Sequence, residues 1–226
     1  MCAADKNDTE IIYYLLSKQE LINEFDFTSN KNLKRIAIPP SITLISENSF
    51  KWCSSLKEVS IPLSVTSIGT RAFYGCSSLE KITISPFVRS IREFAFCECK
   101  SLKKLHIPFS VESIGYQAFQ DCSSLEDVTL PPNLTQINCG LFQNCTSLKQ
   151  FFIPPSVNLI CSKAFNKCSL KKLIISSLTI EIDKNAFDRF HQVEELVIPF
   201  QAKKLLFENQ YKNKIDYNRI VIGELA

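Results

Sequence analysis

The stretch LKEVSIPLSVTSIGTRAFYGCSS, residues 56–78, decides the fold because its pattern returns along most of the chain. Polar and apolar side chains alternate from Glu58 to Ile61, which is typical of a short strand with one buried face. Pro62 has no backbone N–H to donate, so the strand is expected to end there. An Ala-Phe pair that ends at Phe73 then brings a small and a large apolar side chain inward. The unit finishes in Cys-Ser-Ser, after which the next strand begins.

Three columns of residues recur at a step of 23. The phenylalanine column is Phe27, Phe50, Phe73, Phe96, Phe119, Phe142 and Phe165. The cysteine column is Cys53, Cys76, Cys99, Cys122, Cys145 and Cys168. The leucine column is Leu33, Leu56, Leu79, Leu102, Leu125 and Leu148. The series slips by one residue at Leu170 and Phe187 and resumes at Val193. One unit cannot close a core by itself, so columns that keep phase indicate a solenoid of stacked units.

The predicted fold is a curved, right-handed stack of about eight 23-residue units with short parallel strands. Short helical or irregular segments are expected on its convex side. Residues 1–26 are predicted to form a helical N-terminal cap, because apolar residues follow a helical spacing after an Asn-Asp-Thr start. The repeat array is assigned to residues 27–206, and residues 207–226 to a C-terminal cap with a last irregular strand. All three belong to one structural domain.

The repeating unit resembles the BspA-like, or Treponema-type, leucine-rich repeat. The residues that carry the resemblance are the Ile-Pro, Ala-Phe and Cys-x-Ser elements of residues 56–78, and it extends over about Phe27 to Leu206. The resemblance implies a leucine-rich-repeat solenoid and a surface antigen or adhesin that binds host matrix or other cells. It supplies no catalytic motif.

Composition and charge narrow the classes of partner. The net charge is +3 and no basic face is apparent, so no nucleic-acid partner is expected. No apolar run approaches the roughly 20 residues that span a bilayer. The N-terminus carries early charges and no recognisable secretion signal. The family resemblance favours the cell surface and the missing signal favours the cytoplasm, so the compartment stays open.

Outward positions on the strands are the candidate binding site, because they should line the concave side of the sheet. We call the following two columns the strand face. The inner column is Ala37, Ser60, Thr83, His106, Thr129, Phe152, Ile174 and Val197. The companion column is Arg35, Glu58, Lys81, Lys104, Asp127, Gln150, Lys172 and Glu195. Adjacent apolar residues rimmed by charge are typical of a protein-binding patch. The alternative is that the C-terminal segment folds back and buries the apolar end of the inner column.

The predicted ligand-binding residues are Lys81, Lys104, His106, Gln150, Phe152, Lys172, Ile174 and Val197. The expected partner is a protein or an extracellular matrix component. The alternative is an intracellular scaffold or assembly subunit that uses the same face. The oligomeric state is left open.

Enzymatic chemistry is not expected from this sequence. Its two histidines, His106 and His191, stand without a catalytic triad, phosphate loop or paired carboxylates. Cys97-Glu98-Cys99 offers too few ligands for a zinc site, so we expect no metal and no cofactor. The cysteine column is expected to hold reduced thiols, because side chains that point in parallel from stacked positions have poor disulfide geometry.

Overall fold

The computed structural model describes residues 26–188 and 192–199, together with the strand at residues 220–222. The strands in chain order are β1 (Arg35–Ala37), β2 (Leu44–Ile45), β3 (Glu58–Ser60), β4 (Ser67–Ile68), β5 (Lys81–Thr83), β6 (Ser90–Ile91), β7 (Lys104–His106), β8 (Ser113–Ile114), β9 (Asp127–Thr129), β10 (Gln136–Ile137), β11 (Gln150–Ile153), β12 (Leu159–Ile160), β13 (Lys172–Ile175), β14 (Glu181–Ile182), β15 (Glu195–Ile198) and β16 (Ile220–Ile222).

The chain is a solenoid with parallel strands along two of its sides. The first side carries β1-β3-β5, β7-β9 and β11-β13-β15-β16, and the second carries β2-β4-β6-β8 and β10-β12-β14. Partners such as Val59 and Ile82 are 23 residues apart, as the columns predicted. The predicted solenoid of short parallel strands is therefore confirmed.

The second side of each described unit is irregular and not helical, the second of the two forms expected there. It holds a two-residue strand followed by turns, and no α-helix occurs in residues 26–188. The reason lies in the backbone on either side of each column Phe from Phe50 to Phe165, where two residues adopt φ between 54° and 73°. A right-handed helix cannot continue through left-handed residues.

The phenylalanine column forms one stack of aromatic rings through the core. The rings of Phe73 and Phe96 lie 5.2 Å apart and nearly parallel, and Phe119 stacks on both neighbours at 5.8 and 5.7 Å. The stack continues across the one-residue slip, since Phe165 and Phe187 are 5.0 Å apart. Burying each ring contributes roughly 1.5–3 kcal/mol. Because every ring contacts the next unit, the column couples the units to one another.

The cysteine column binds successive units through its thiols. Each Sγ donates to the carbonyl oxygen of the Phe that lies 26 residues earlier, as from Cys76 to Phe50 at 3.1 Å and from Cys122 to Phe96 at 3.2 Å. The same carbonyl also accepts a backbone N–H within its own unit, as from Cys99 to Phe96 at 3.2 Å. A cysteine therefore fits this slot because it is small, apolar and still a donor.

Left-handed residues form two further columns that flank each Phe. One column is Asn48, Arg71, Phe94, Gln117, Gly140 and Lys163, and the other is Ser29, Trp52, Gly75, Glu98, Asp121, Asn144 and Lys167. A left-handed conformation costs a non-glycine residue roughly 1–2 kcal/mol. Bonds between units offset this cost, because the N–H of Trp52 donates to Tyr74 O at 2.7 Å and that of Glu98 to Gln120 O at 2.8 Å.

The one-residue slip is absorbed before β13. A single serine separates Cys168 from Leu170, where earlier units have two residues between the cysteine and the leucine. The pairs Phe151–Leu173 and Leu159–Glu181 are accordingly 22 residues apart. Both sides of the solenoid keep their facing residues, so the deletion shortens a bend and leaves the ladders intact.

The predicted caps fall mostly outside the described residues. The helix assigned to residues 1–26 lies there apart from residue 26, and so does the C-terminal cap apart from β16. β16 pairs in parallel with β15, matching Val197 with Val221, so it extends the first side by one strand. The division into residues 1–26, 27–206 and 207–226 stays a prediction.

Candidate functional site

The strand face lies on the first side of the solenoid, where the strands hold its two columns in register. Lys104 faces Asp127 and His106 faces Thr129 on neighbouring strands. The apolar residues between the two columns point inward, and Leu105 is buried. The strand period of two therefore turns every residue of the candidate site outward, as predicted.

Charges of both signs are mixed in the companion column, and two lysines pair with a carboxylate of a neighbouring unit. Lys81 Nζ lies 3.0 Å from Glu58 Oε1, and Lys172 Nζ lies 2.6 Å from Glu195 Oε1. Such exposed pairs stabilise the fold by about 0–1 kcal/mol each. Lys104 forms no ion pair with any residue that the structure describes. The column therefore presents charges of both signs, and Lys104 is a cation without an ion-pair partner among the described residues.

The inner column is apolar at its C-terminal end. Phe152, Ile174 and Val197 face one another on β11, β13 and β15. The Phe152 side chain is 50% exposed, whereas Ile174 and Val197 are partly buried. Exposed apolar side chains on adjacent strands form a continuous patch that water solvates poorly.

The fold-back alternative concerns what lies over this patch. Residues 220–222 add a strand at the edge of the sheet, beside Val197, and do not cross over Phe152. Residues 200–219, which would have to make such a crossing, are outside the described part. Within the structure, Phe152 is open to solvent.

The other end of the inner column is polar. Ser60, Thr83, His106 and Thr129 are all exposed. The ring of His106 meets Phe109 edge-on, with centroids 6.3 Å apart. Gln150, the remaining predicted contact residue, is exposed beside Phe152 on β11. The structure thus places all eight predicted contact residues on one side of the solenoid, from β5 to β15.

Sequence analysis missed a second apolar feature next to the strand face. Leu63 is 66% exposed and Phe109 67% exposed, and both follow the proline that ends a strand. The same column holds exposed prolines in four other units, Pro40, Pro86, Pro132 and Pro155. Phe87, one position later, is also exposed. We call Pro40, Leu63, Pro86, Phe87, Phe109, Pro132 and Pro155 the turn ridge. Its signal in the sequence is a 23-residue step of apolar residues after each strand-ending position.

Residues considered for metal or acid–base chemistry do not converge. Cys97 and Cys99 are buried, and Cys99 Sγ donates to Phe73 O at 3.3 Å. Glu98 accepts a hydrogen bond from Tyr74 Oη at 2.7 Å, and this bond raises the pKa of Tyr74. No group of three His, Cys, Asp or Glu side chains in the described ranges is arranged to hold a metal ion. His191 lies outside those ranges.

A shallow hollow at the first units gives no reaction chemistry either. Its lining is Ile36, Ile38, Pro39, Ile42, Leu44, Ile45, Ser46, Ser49 and Phe50, none of which titrates near neutral pH. A general acid or base needs a proton to exchange near the working pH. This hollow therefore provides an apolar contact surface and no acid–base group.

Burial dominates the chemistry of the cysteine column. Desolvation raises the pKa of Cys53 and of Cys168 to about 12, and it also raises the pKa of Cys76, Cys99, Cys122 and Cys145. A neutral buried thiol is a poor nucleophile. The hydrogen bonds to the Phe carbonyls require the thiol hydrogen, which supports the prediction that this column is reduced.

No helix in the described residues is long and apolar enough to cross a membrane.

Comparison with known proteins identifies the repeat. The model of the BspA type leucine rich repeat region matches residues 20–139 and 112–222, with 6 copies. No protein of curated description matches the chain. A leucine-rich repeat protein of T. pallidum is 30% identical, with a TM-score of 0.63, and the match covers 79% of this chain and 84% of that one.

Two further crystal structures share the fold. A leucine-rich repeat protein of Bacteroides ovatus is 25% identical, with a TM-score of 0.60, over 76% of this chain and 57% of that one. One from Eubacterium ventriosum, 20% identical with a TM-score of 0.53 over 68% and 58% of the two chains, shows the likeness of fold alone. This chain spans little more than half the length of both proteins. Because the repeat model matches nearly all of it, the chain belongs to the BspA-type leucine-rich repeat family.

Proposed function

We propose that this chain is a binding module that holds a protein or matrix component against its strand face, in the manner of a surface antigen or adhesin. The observation that carries the proposal is the apolar patch of Phe152, Ile174 and Val197, beside the mixed charges of the companion column. An apolar centre with a polar rim is the usual anatomy of a protein interface.

The distribution of charge favours a protein partner over a polyanion. Lys81 and Lys172 each lie next to a carboxylate, Glu58 and Glu195, so the face carries both signs. Nucleic-acid surfaces are instead bound by concentrated positive charge. A pattern of both charges fixes the register of a protein partner and disfavours partners with mismatched charges.

The turn ridge enlarges this surface at the polar end. Phe109 lies against His106, so the exposed apolar area there borders the inner column directly. Aromatic side chains supply large contact area at low entropic cost. A partner that contacts Lys104 and His106 would therefore also contact Phe109.

Binding of the full chain to a panel of immobilised matrix proteins tests the proposal. The probes are collagen, laminin and fibronectin, with binding measured by surface plasmon resonance. The double substitution Phe152→Ser with Ile174→Ser should weaken binding at least tenfold, since central apolar contacts commonly contribute about 2 kcal/mol or more. Tyr116→Ser is the matched control, because Tyr116 is 47% exposed but follows β8 on the second side. Binding that survives the double substitution, or that Tyr116→Ser weakens equally, would reject the strand face.

A second candidate is an intracellular scaffold that uses the same face. It is favoured by the cysteines at 53, 76, 97, 99, 122, 139, 145, 161 and 168, which are free thiols, because unpaired cysteines are typical of reducing compartments. Protease treatment of intact producing cells separates the two, with an intracellular protein as control. Cleavage of this chain while the control survives supports the surface role. Protection until the cells are opened supports the scaffold.

A further inference from the structure

Two cysteines outside the cysteine column lie side by side on the second side of the solenoid. Cys139 is exposed and Cys161 is partly buried. β10 and β12 pair Ile137 with Ile160, and the N–H of Cys161 donates to Ile137 O at 2.9 Å. The Cys139 thiol is also close enough to contribute to the raised pKa of Cys161.

The spacing of the two backbones suits a disulfide. Neighbouring parallel strands stand about 4.8 Å apart, and a disulfide joins residues whose Cα atoms are roughly 4.4–6.8 Å apart. Cys139 and Cys161 come from adjacent positions of the unit, two residues after Ile137 and one after Ile160. The two residues are therefore near neighbours across a unit boundary, whereas thiols of the cysteine column, such as Cys122, are directed to carbonyl oxygens.

Accessibility separates the pair from every other described cysteine. The six thiols of the cysteine column and Cys97 are buried. Cys139 reaches solvent and meets an external reagent first. Burial raises the pKa of Cys161 to about 11, with further contributions from Cys139 and Asp183. Cys161 is therefore a protonated thiol near neutral pH.

We propose that Cys139 and Cys161 form a thiol–disulfide exchange site, at which a low-molecular-weight disulfide oxidises the pair to a bridge between two neighbouring units. The Cys139 thiol loses its proton to solvent, and its sulfur attacks one sulfur of the reagent. A mixed disulfide forms while the reagent's S–S bond breaks, and the leaving thiolate takes up a proton. Cys161 then loses its proton and attacks Cys139 Sγ, which releases the second reagent thiol. Two protein thiols are oxidised and one reagent disulfide is reduced to two thiols.

The bridge would tie residues 139 and 161 into a closed loop across a unit boundary. Solenoid units contact only their neighbours, so the interface between two units contributes directly to the stability of the array. A crosslink across that boundary restricts the opened states and raises the unfolding midpoint. Reducing agents would reverse the effect.

The test uses the full chain with Cys2→Ser in every variant, since Cys2 is a further thiol outside the described residues. The folded protein is incubated with oxidised glutathione and analysed by intact mass spectrometry and peptide mapping. The expected product has lost two hydrogen atoms and contains a bridge between the peptides of Cys139 and Cys161. Its thermal midpoint should rise and return to the starting value after reduction.

Two variants distinguish the steps. With Cys161→Ser the reaction should stop at a mixed disulfide that carries one glutathione on Cys139. With Cys139→Ser the folded chain should resist the reagent, although thiols of the cysteine column should react after denaturation. A bridge that maps elsewhere, or a Cys161→Ser variant that forms no mixed disulfide, would overturn the proposal. So would a folded parent chain that stays unoxidised while Cys139 reacts with an alkylating agent.

Discussion

The inward columns and the strand face share the same 23-residue step but differ in how far their residues vary. Phe119 and Cys122 occupy environments that recur along the column. Phe119 stacks between the rings of two neighbouring units, and Cys122 donates a hydrogen bond to a Phe carbonyl oxygen. His106 and Phe152 occupy equivalent positions that point to solvent, and there the residue type changes from unit to unit. Identical surroundings select identical side chains, whereas open surroundings leave the residue to the partner. Stability therefore belongs to the inward columns, and the strand face is the surface to which we assign recognition in the proposed function.

The largest effect should come from alkaline titration of the cysteine column. Burial raises the folded-state pKa of all six thiols from the ordinary value of 9.0. Above pH 9 the unfolded chain loses protons that the folded chain retains, so stability is fully present below that pH and falls as pH rises. Above pH 9, each thiol should lower the free energy of unfolding by about 1.4 kcal/mol per pH unit. Urea unfolding from pH 7 to 10 measures the slope.

A variant gives this experiment an internal reference. Cys122→Ser should reduce the alkaline slope by one proton, because Ser does not titrate in this range. An unfolding free energy that stays flat up to pH 10 would contradict the burial of these thiols.

Next in size is the loss of one ring from the stack. Phe119→Ala should lower the free energy of unfolding by roughly 3–5 kcal/mol, because the ring is fully buried and touches rings on both sides. Chemical denaturation measures the loss. A variant as stable as the parent would mean that the column does not form the core. Phe109→Ala is the control, since Phe109 is largely exposed and should change stability little.

A smaller effect isolates the hydrogen bond of the cysteine column. Cys122→Ala and Cys122→Ser both remove the sulfur, but only serine keeps a donor for Phe96 O. The serine variant should be the more stable by about 0.5–1.5 kcal/mol, the net contribution of one hydrogen bond. Paired urea midpoints give the difference. Equal stability would show that the slot selects cysteine for its size alone.

The smallest effect on stability should come from the strand face. Phe152→Ser should cost less than about 1 kcal/mol, the span of strand propensities, because half of the side chain is already exposed. Thermal unfolding of the variant used in the binding assay checks this expectation. A loss comparable to that of Phe119→Ala would place Phe152 in the core and remove the distinction between the two regions.

Much of this fold was predictable because buried positions repeat their residue types. The Phe, Cys and Leu columns gave the step, and alternation around Glu58–Ile61 gave the strand and its outward side chains. The two-residue strands of the second side were not predicted, because a segment as short as Ser67–Ile68 cannot show the alternation of polar and apolar residues that indicates a strand. Left-handed backbone was missed as well, because residues such as Arg71 adopt it where their types give no cue.

The candidate site divides in the same way. The strand period alone predicted the strand face, and the structure places its residues on one side of the solenoid, while their role in binding stays a prediction. The turn ridge was overlooked, because single exposed residues such as Leu63 look ordinary until their spacing is compared. The contact between Cys139 and Cys161 depends on the register between units at two different positions of the repeat. No single column of the sequence contains it.

The constant step between units has a consequence for the gene. Residues 79–101 and 102–124 begin at the same position of the unit, so excising the first would join Ser78 directly to Leu102. Every ring and thiol would still meet an equivalent neighbour. Unequal recombination between such coding segments would lengthen or shorten the array by whole units while preserving its phase. The extent of the strand face can thus change by inheritance in steps of one repeating unit.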